Sequence, residues 1–484
     1  MGRFEFDSTH PYLSGNFKPM RFEGEAPFLE IEGELPADFT GVFYLNGSCP
    51  QFPPSSKRYH WFAGDGKVHA YYFRGDSVVD YATRWVRTEN FELERRAQRS
   101  LFGNKKYGAL TEIDPSVRHI RPQLANTNVV FHGGRLLALE DGIAPIELDP
   151  WSLETRGSHR FDGRLDSAMT AHVHTDPGTG EMIGFGRQLG GSGSPTMSHQ
   201  VVNSEGVMTH NEPFESPYCA LLHDFAISED YVAYPLGPAI LDPTRPAQGK
   251  PVLQWEPHRP AYLGILSRKG PTYSPRWLPM DPCFMWHTLN MYQEDRSLHI
   301  DLVRYKNLPG YDTGRDVRSA DNPEEYAGRL VRWSVNLDAP TDEVTEHVLD
   351  DLISEFPRID ERSMGQKHRH AFFLCLDGKT GASRHWDAAA HLDLQTGRRT
   401  LYDPGAQSFV SEGVFAPRVG STEEGDGYYM VPVYHEDQKR SEVVLLSATD
   451  FEAGPIARVK LPFRQNPTFH ANFCAGLTQP EDAA

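Results

Sequence analysis

At 484 residues, 39% hydrophobic and 24% charged, the chain has the composition of a folded globular protein with ample material for a core, not of a disordered or fibrous one. Its formal net charge of −18 argues against nucleic acid as a partner, because such a surface repels phosphate backbones, and disfavours an anionic membrane surface for the same reason. Five dispersed cysteines (Cys49, Cys219, Cys283, Cys375, Cys474) form no CxxC pair, the N-terminus lacks a signal-peptide apolar run, and no apolar stretch reaches about 18 residues, so a cytoplasmic protein with reduced thiols and no transmembrane segment is expected.

In chain order, helical periodicity is nearly absent, and short runs of Val, Ile, Leu, Tyr and Phe closed by turn signals recur instead. A first excursion, around 99–118, is polar, glycine-bearing and weakly patterned. Strands are then expected at Asn128–Phe131 and Arg135–Leu139. Ile146 to Pro150 leads through an aspartate-led turn into Leu153 to Thr155. The stretch His174 to Gly180 is a weaker copy of this pattern. A second excursion spans about 307–325. Ser334 to Asp338 and His391 to Gly397 repeat the strand, aspartate-led turn, strand unit, and Tyr428–Val433 and Val443–Leu446 read as later strands. Such loose repetition favours an all-β radial array, a β-propeller that takes 1–484 as one domain. A large β-sandwich assembly is the alternative. The two excursions would form a loop and helical cap over the axial end, where ligands bind.

Of 21 histidines, four stand in apolar or small-residue surroundings at strand starts or ends: His172, His223, His287 and His470. No local HxxxH spacing marks them as ligands. In a propeller, however, widely separated inner strands can aim side chains at one axial point, and imidazole suits Fe, Zn, Cu and Ni. Four neutral ligands would leave a divalent charge uncompensated and so call for carboxylates behind them.

The chain also resembles a known family. The stretches Gly41-Val42-Phe43-Tyr44-Leu45-Asn46-Gly47, His60-Trp61-Phe62-Ala63-Gly64-Asp65-Gly66, Leu124-Ala125-Asn126-Thr127-Asn128, His223-Asp224-Phe225-Ala226 and Glu355-Phe356-Pro357-Arg358 occur in order, as do Glu423 to Tyr428 and Ala453 to Phe463. In these the chain resembles the carotenoid cleavage oxygenases, and most closely their lignostilbene dioxygenase and isoeugenol monooxygenase branch, over about Leu29 to Leu477. The resemblance implies a seven-bladed propeller with Fe(II) held by His172, His223, His287 and His470. It further implies that Glu140, Glu355 and Glu412 accept hydrogen bonds from the far ring nitrogens. Gly413 stands where the family usually has proline, and Lys67 where it commonly has methionine.

The implied reaction joins O2 to a carbon–carbon double bond and yields two carbonyl products. Its substrate would be a small hydrophobic alkene: a phenylpropanoid or stilbene of the isoeugenol, 4-vinylguaiacol, lignostilbene or resveratrol type, giving an aromatic aldehyde such as vanillin. An apocarotenoid is the alternative. An iron-dependent isomerase or hydrolase, or a metal-free scaffold, are the competing classes. The branch's lysine directly before the first of the three glutamates, a contact to the substrate phenol, corresponds here to Leu139. The branch's tyrosine contact corresponds to Tyr107, with Lys105 or Lys106 as a replacement cation or as exposed loop residues. Oligomeric state is not legible.

Overall fold

The protein is described here from a computed structural model, covering residues 4–55, 59–103, 113–270, 273–309, 322–338, 343–376 and 386–479. Antiparallel strands form seven sheets arranged as the blades of a propeller, as the family resemblance implies. The innermost strands, in ring order, are Asn128–His132, His174–Thr175, Ala226–Ile227, Phe284–Glu294, Ser354–Arg358, the pair Ser408–Val410 and Val414–Pro417, and His470–Ala475. A two-stranded ribbon, Ala239–Leu241 with Leu253–Trp255, stands outside the blades.

The ring is closed twice by strands from opposite ends of the chain. Glu30–Gly33 pairs with Asp450–Lys460, and Thr40–Ser48 pairs with His470–Ala475. In the second of these sheets, Thr40–Ser48 and Gly66–Arg74 are buried almost throughout, because neighbouring blades cover both faces. Hence strand interiors read as continuous apolar runs rather than as a two-residue alternation.

The aspartate-led turns are real and recur at equivalent places. Asp149 Oδ1 accepts the N–H groups of Trp151 and Ser152 in the hairpin from Ile146–Leu148 to Thr155–Ser158. Asp393 does the same for Gln395 and Thr396 between Ala388–Asp393 and Arg399–Tyr402. Both connect the third and fourth strands of a blade. Asp176 serves a first-to-second connection instead. An Asx turn of this kind caps the chain reversal without tertiary help.

The first excursion is preceded by a helix the sequence reading did not place, Glu89–Ala97, capped by the Thr88 hydroxyl accepting from the Phe91 N–H, with Arg95 and Arg96 in its last turn. Leu101, Phe102, Ile113 and Val117 form a small core of their own against Leu93 and Ala97 of this helix. Buried Glu94 accepts the N–H groups of Leu101 and Phe102. The chain rejoins the propeller at Leu124 and Ala125, whose N–H groups donate to Glu140. Part of this excursion, 104–112, lies outside the described residues, as does 310–321 in the second. The ends of the second excursion are pinned together by Asn307 Nδ2 donating to Glu325, and to the ribbon by Trp255 Nε1 donating to Asn307.

The N-terminal segment before the first strand is held in an unusual way. Alternate carbonyls, from a 3-10 turn at Gly15–Phe17 onward, meet cations: Asn16 and Lys18 meet Arg464, and Met20 and Phe22 meet Lys67 Nζ at 2.5 Å each. Lys67 is 0% exposed and lies over the Trp85 ring. That gives the lysine a structural account, since burying an ammonium requires such partners. All five cysteines are free, and among the described residues no helix is long and apolar enough to cross a membrane.

Candidate metal centre

The ends of four inner strands bring His172, His223, His287 and His470 together, with one nitrogen of each within 4.8 Å of all the others. His172 and His223 lie in connections just ahead of two-residue inner strands. The His172 N–H donates to Thr170 Oγ1, and the preceding Ala171 N–H to Asp141. His287 sits inside Phe284–Glu294, where a register shift between Met285 and Thr288 breaks the strand pairing. A bulge of this kind re-aims one side chain at the cost of a ladder bond. His470 is the first residue of the closing strand.

Three of the rings are fixed from behind by carboxylates, which can only accept. His287 Nδ1–H donates to Glu355 at 2.5 Å, His470 Nδ1–H to Glu412 at 3.1 Å, and His223 Nδ1–H to Asp141 at 2.8 Å. Glu355 also accepts the Tyr305 hydroxyl and the Phe356 N–H. Glu412 also accepts the Ala471 N–H. Donation from Nδ1 leaves the Nε2 lone pairs of these rings to face the centre. Phe356, at φ +53°, stacks on the His287 ring, a strained backbone for a bulky residue of the kind found at functional sites.

Glu355 and Glu412 thus stand where the resemblance implies, and Gly413 does not disturb the latter: a side chain there would strike the Tyr429 ring. The first carboxylate is different. Asp141, not Glu140, holds His223, while Glu140 accepts the N–H groups of Leu124 and Ala125. The reading is off by one residue, and Leu139 moves with it. Leu139 is 1% exposed and packs with Leu137, Met169 and Ala171, so it is core and not a substrate contact. Its strand pairing explains this: Leu139 is still within the ladder, opposite Asn128, and the chain leaves the sheet only after it. The residue directly before the His223 carboxylate is therefore Glu140. Tyr107 and Lys105 lie outside the described residues.

The environment does not act alike on the inward rings: burial works against protonated His287, but the Glu355 carboxylate outweighs it and raises that ring's pKa. Burial, reinforced by the neighbouring imidazoles, pushes His172 and His470 well below the usual histidine pKa. Burial works against the Asp141 charge, but His223 and Arg187 outweigh it and hold the carboxyl well below its ordinary range. Burial raises Glu412.

This donor set fits a metal ion. His287 Nε2 is buried with no hydrogen-bond partner. His172 Nε2 and His223 Nε2 are 3.0 Å apart, and the Nδ1–H donation of His223 to Asp141 turns its Nε2 lone pair inward. Two adjacent ligands of one ion, each about 2.1 Å from it, stand about 3 Å apart.

Sequence reasoning also missed the walls of the site. Trp286 packs edge-on against His223 at 5.0 Å, and Phe62 bridges Trp286 and Phe469, at 6.3 Å and 5.4 Å. Trp61 lies 4.1 Å from Phe469. Trp286 and Phe469 each directly precede one of the four converging histidines, a signal available in the sequence.

Comparison with known proteins agrees with this geometry. The family described as RPE65, retinal pigment epithelial membrane protein, matches residues 17–475. Isoeugenol monooxygenase of Pseudomonas nitroreducens is 35% identical over 469 residues, covering 95% of this chain and 97% of the relative. Resveratrol cleavage oxygenase 1 of Aspergillus fumigatus is 36% identical over 485 residues, covering 96% of each. The crystal structure of Pseudomonas brassicacearum lignostilbene dioxygenase superposes with a TM-score of 0.90 at 34% identity, covering 98% of this chain and 100% of that one. On this fold, this four-histidine cluster and these likenesses, the chain belongs to the RPE65 family and is a dioxygenase of the carotenoid cleavage oxygenase type.

Proposed function

We propose that the chain binds Fe(II) through His172, His223, His287 and His470 and cleaves the side-chain double bond of a phenylpropanoid or stilbene with O2, giving an aromatic aldehyde such as vanillin. The observation that carries this is the convergence of four imidazole nitrogens beside a wall of aromatic rings. When bound, the iron supplies the means of activating O2, and no outside reductant is needed if both oxygen atoms end in products. Asp141, Glu355 and Glu412 keep three rings in the ligating tautomer and offset positive charge. Trp286, Phe62 and Phe469 offer flat apolar surface on which an aryl alkene lies beside the centre and from which water is excluded. Relatives at 35–36% identity named for isoeugenol and resveratrol favour this class of substrate.

A second reading is favoured by Glu140. With Asp141 behind His223, the branch's lysine position carries Glu140, buried on the Leu124 and Ala125 N–H groups, so no lysine stands there to stabilise an ionised phenol. The alkene is then a neutral phenol or a non-phenolic chain such as an apocarotenal. Five free cysteines fit a reducing, cytoplasmic setting.

The test is aerobic incubation of Fe(II)-loaded protein with isoeugenol, 4-vinylguaiacol, resveratrol, a lignostilbene and a long apocarotenal, following aldehydes by mass spectrometry and O2 uptake. Vanillin or a hydroxybenzaldehyde with matching O2 uptake is the expected result. Cleavage of the apocarotenal alone moves the enzyme to the second reading, and turnover without O2 uptake overturns both.

A further inference from the structure

The carboxylates behind the imidazoles leave one question about geometry. His172 and His223 are carried by connections that lead into inner strands only two residues long, His174–Thr175 and Ala226–Ile227. So short a ladder does little to fix where the preceding residues point. Something other than sheet pairing must hold these two segments in register with the longer strand that carries His287.

We propose that Asp224 is the positioning residue that does this: one buried carboxylate that ties together the segments bearing three of the four imidazoles. The proposal rests on the metal reading above. Asp224 follows His223 in the chain and is 2% exposed. Its Oδ2 accepts the N–H of Thr288, the residue after His287, at 2.8 Å. The Thr288 hydroxyl lies 3.0 Å from the same oxygen and 2.8 Å from the Phe225 carbonyl, with one proton to share between them. Asp224 Oδ1 accepts the Nε2–H of His174, two residues beyond His172, at 3.0 Å, and the Phe225 N–H at 2.7 Å. Asp141, Glu355 and Glu412 each hold one imidazole from behind. Asp224 instead holds the backbone that carries three.

His172 depends on it most. Behind its segment stand Thr170 Oγ1 on its own N–H and Asp141 on the Ala171 N–H. Ahead of it the His174 ring is anchored on Asp224. Only Val173 separates the two histidines, so the anchor on the His174 ring limits how far the chain that carries His172 can shift away from His223. Asp224 touches no reacting atom. Its contribution is the mutual aim of the ligands, which an ion senses as affinity and as ligand field.

The experiment uses full-length protein, metal-free and loaded with Fe(II) or Co(II). Asp224→Asn preserves shape but must turn an amide N–H2 toward one of its two sets of donors. Its metal-free thermal midpoint is expected within a few degrees of wild type, with metal dissociation at least tenfold easier and a changed Co(II) visible spectrum. His174→Leu, which keeps bulk and loses the N–H, is expected to change the spectrum in the same sense, and His174→Gln, which keeps a donor, to restore it. Wild-type affinity and spectrum in both Asp224→Asn and His174→Leu overturn the proposal while leaving the metal centre intact. So does a fall in melting that is equal with and without metal, since that marks a structural role alone. Should Asp224→Asn not fold, the His174→Leu and His174→Gln pair decides. Wild-type protein that takes up no metal overturns the centre and this proposal together.

Discussion

Replacing Asp141 with asparagine tests the assignment of the His223 carboxylate at a single atom. In the structure His223 Nδ1–H donates to Asp141 Oδ2 at 2.8 Å, while Asp141 Oδ1 accepts the Ala171 N–H at 3.0 Å. Asparagine can keep its carbonyl oxygen on one of these donors only. If it serves Ala171, its N–H2 faces His223 Nδ1, which must then become an acceptor. The ring proton moves to Nε2, the nitrogen that should ligate. If it serves His223, the Ala171 N–H is left against an N–H2 group beside His172. Either way a charge-assisted hydrogen bond is lost, worth about 1.5–3 kcal/mol. Fe(II) dissociation is therefore expected about 10- to 100-fold easier. Anaerobic competition against a chromophoric chelator measures this directly, with Glu140→Gln as the comparison. An unchanged dissociation constant in Asp141→Asn, or a larger loss in Glu140→Gln, refutes the reasoning and returns the role to Glu140.

Three further outcomes are expected. His223→Ala should carry no iron by metal analysis and show no O2-dependent cleavage, while far-UV circular dichroism stays that of the wild type; full activity would remove it from the ligand set. Trp286→Ala should raise KM for a stilbene roughly tenfold, the equivalent of about 1–2 kcal/mol of lost aromatic contact, with kcat changed far less; an unchanged KM would take the ring out of the substrate wall. Burial pushes His199 down to about 3 and His391 down to about 4, the latter helped by His370. Unfolded histidine titrates near about 6.5, so below that the unfolded chain binds more protons and stability is lost as pH falls toward 4. His391→Gln should flatten that loss by on the order of 3 kcal/mol, read from denaturant titrations at pH 7 and pH 4.5; parallel losses in both proteins would contradict it.

An all-β repeating array and four histidines in apolar surroundings were legible as pattern, while the seven blades and the grouping of these histidines followed from the family likeness. Turn aspartates such as Asp149 and Asp393 act locally, and the ligands stand in apolar stretches at strand ends. Glu355 and Glu412 followed from the family likeness. The choice between Glu140 and Asp141 was not legible, because two carboxylates in succession look alike until the end of the Arg135–Leu139 ladder decides which one turns toward His223. Helix Glu89–Ala97 escaped for a related reason. Its apolar face is short and divided, with Phe91 packed against Trp85 and Cys49 of the propeller and Leu93 and Ala97 against the local cluster, so its period is weak in sequence. Lys67 had no meaning until the carbonyls of Met20 and Phe22 were seen above it.

The strand that closes the ring begins with His470, and its partner Thr40–Ser48 was laid down more than 400 residues earlier. The last of the four converging histidines and the last seam thus arrive together. During synthesis a chain halted anywhere before this strand can offer at most three imidazoles on an open arc. If the four histidines hold iron as proposed, occupancy of that site doubles as a report that translation has passed residue 470 and that the circle has shut. An ion acquired at that moment also clamps the seam, because dissociating His470–Ala475 from its neighbours would strip a ligand from the ion. Resistance of this strand to exchange and to proteolysis should therefore track metal loading more closely than that of any other blade edge.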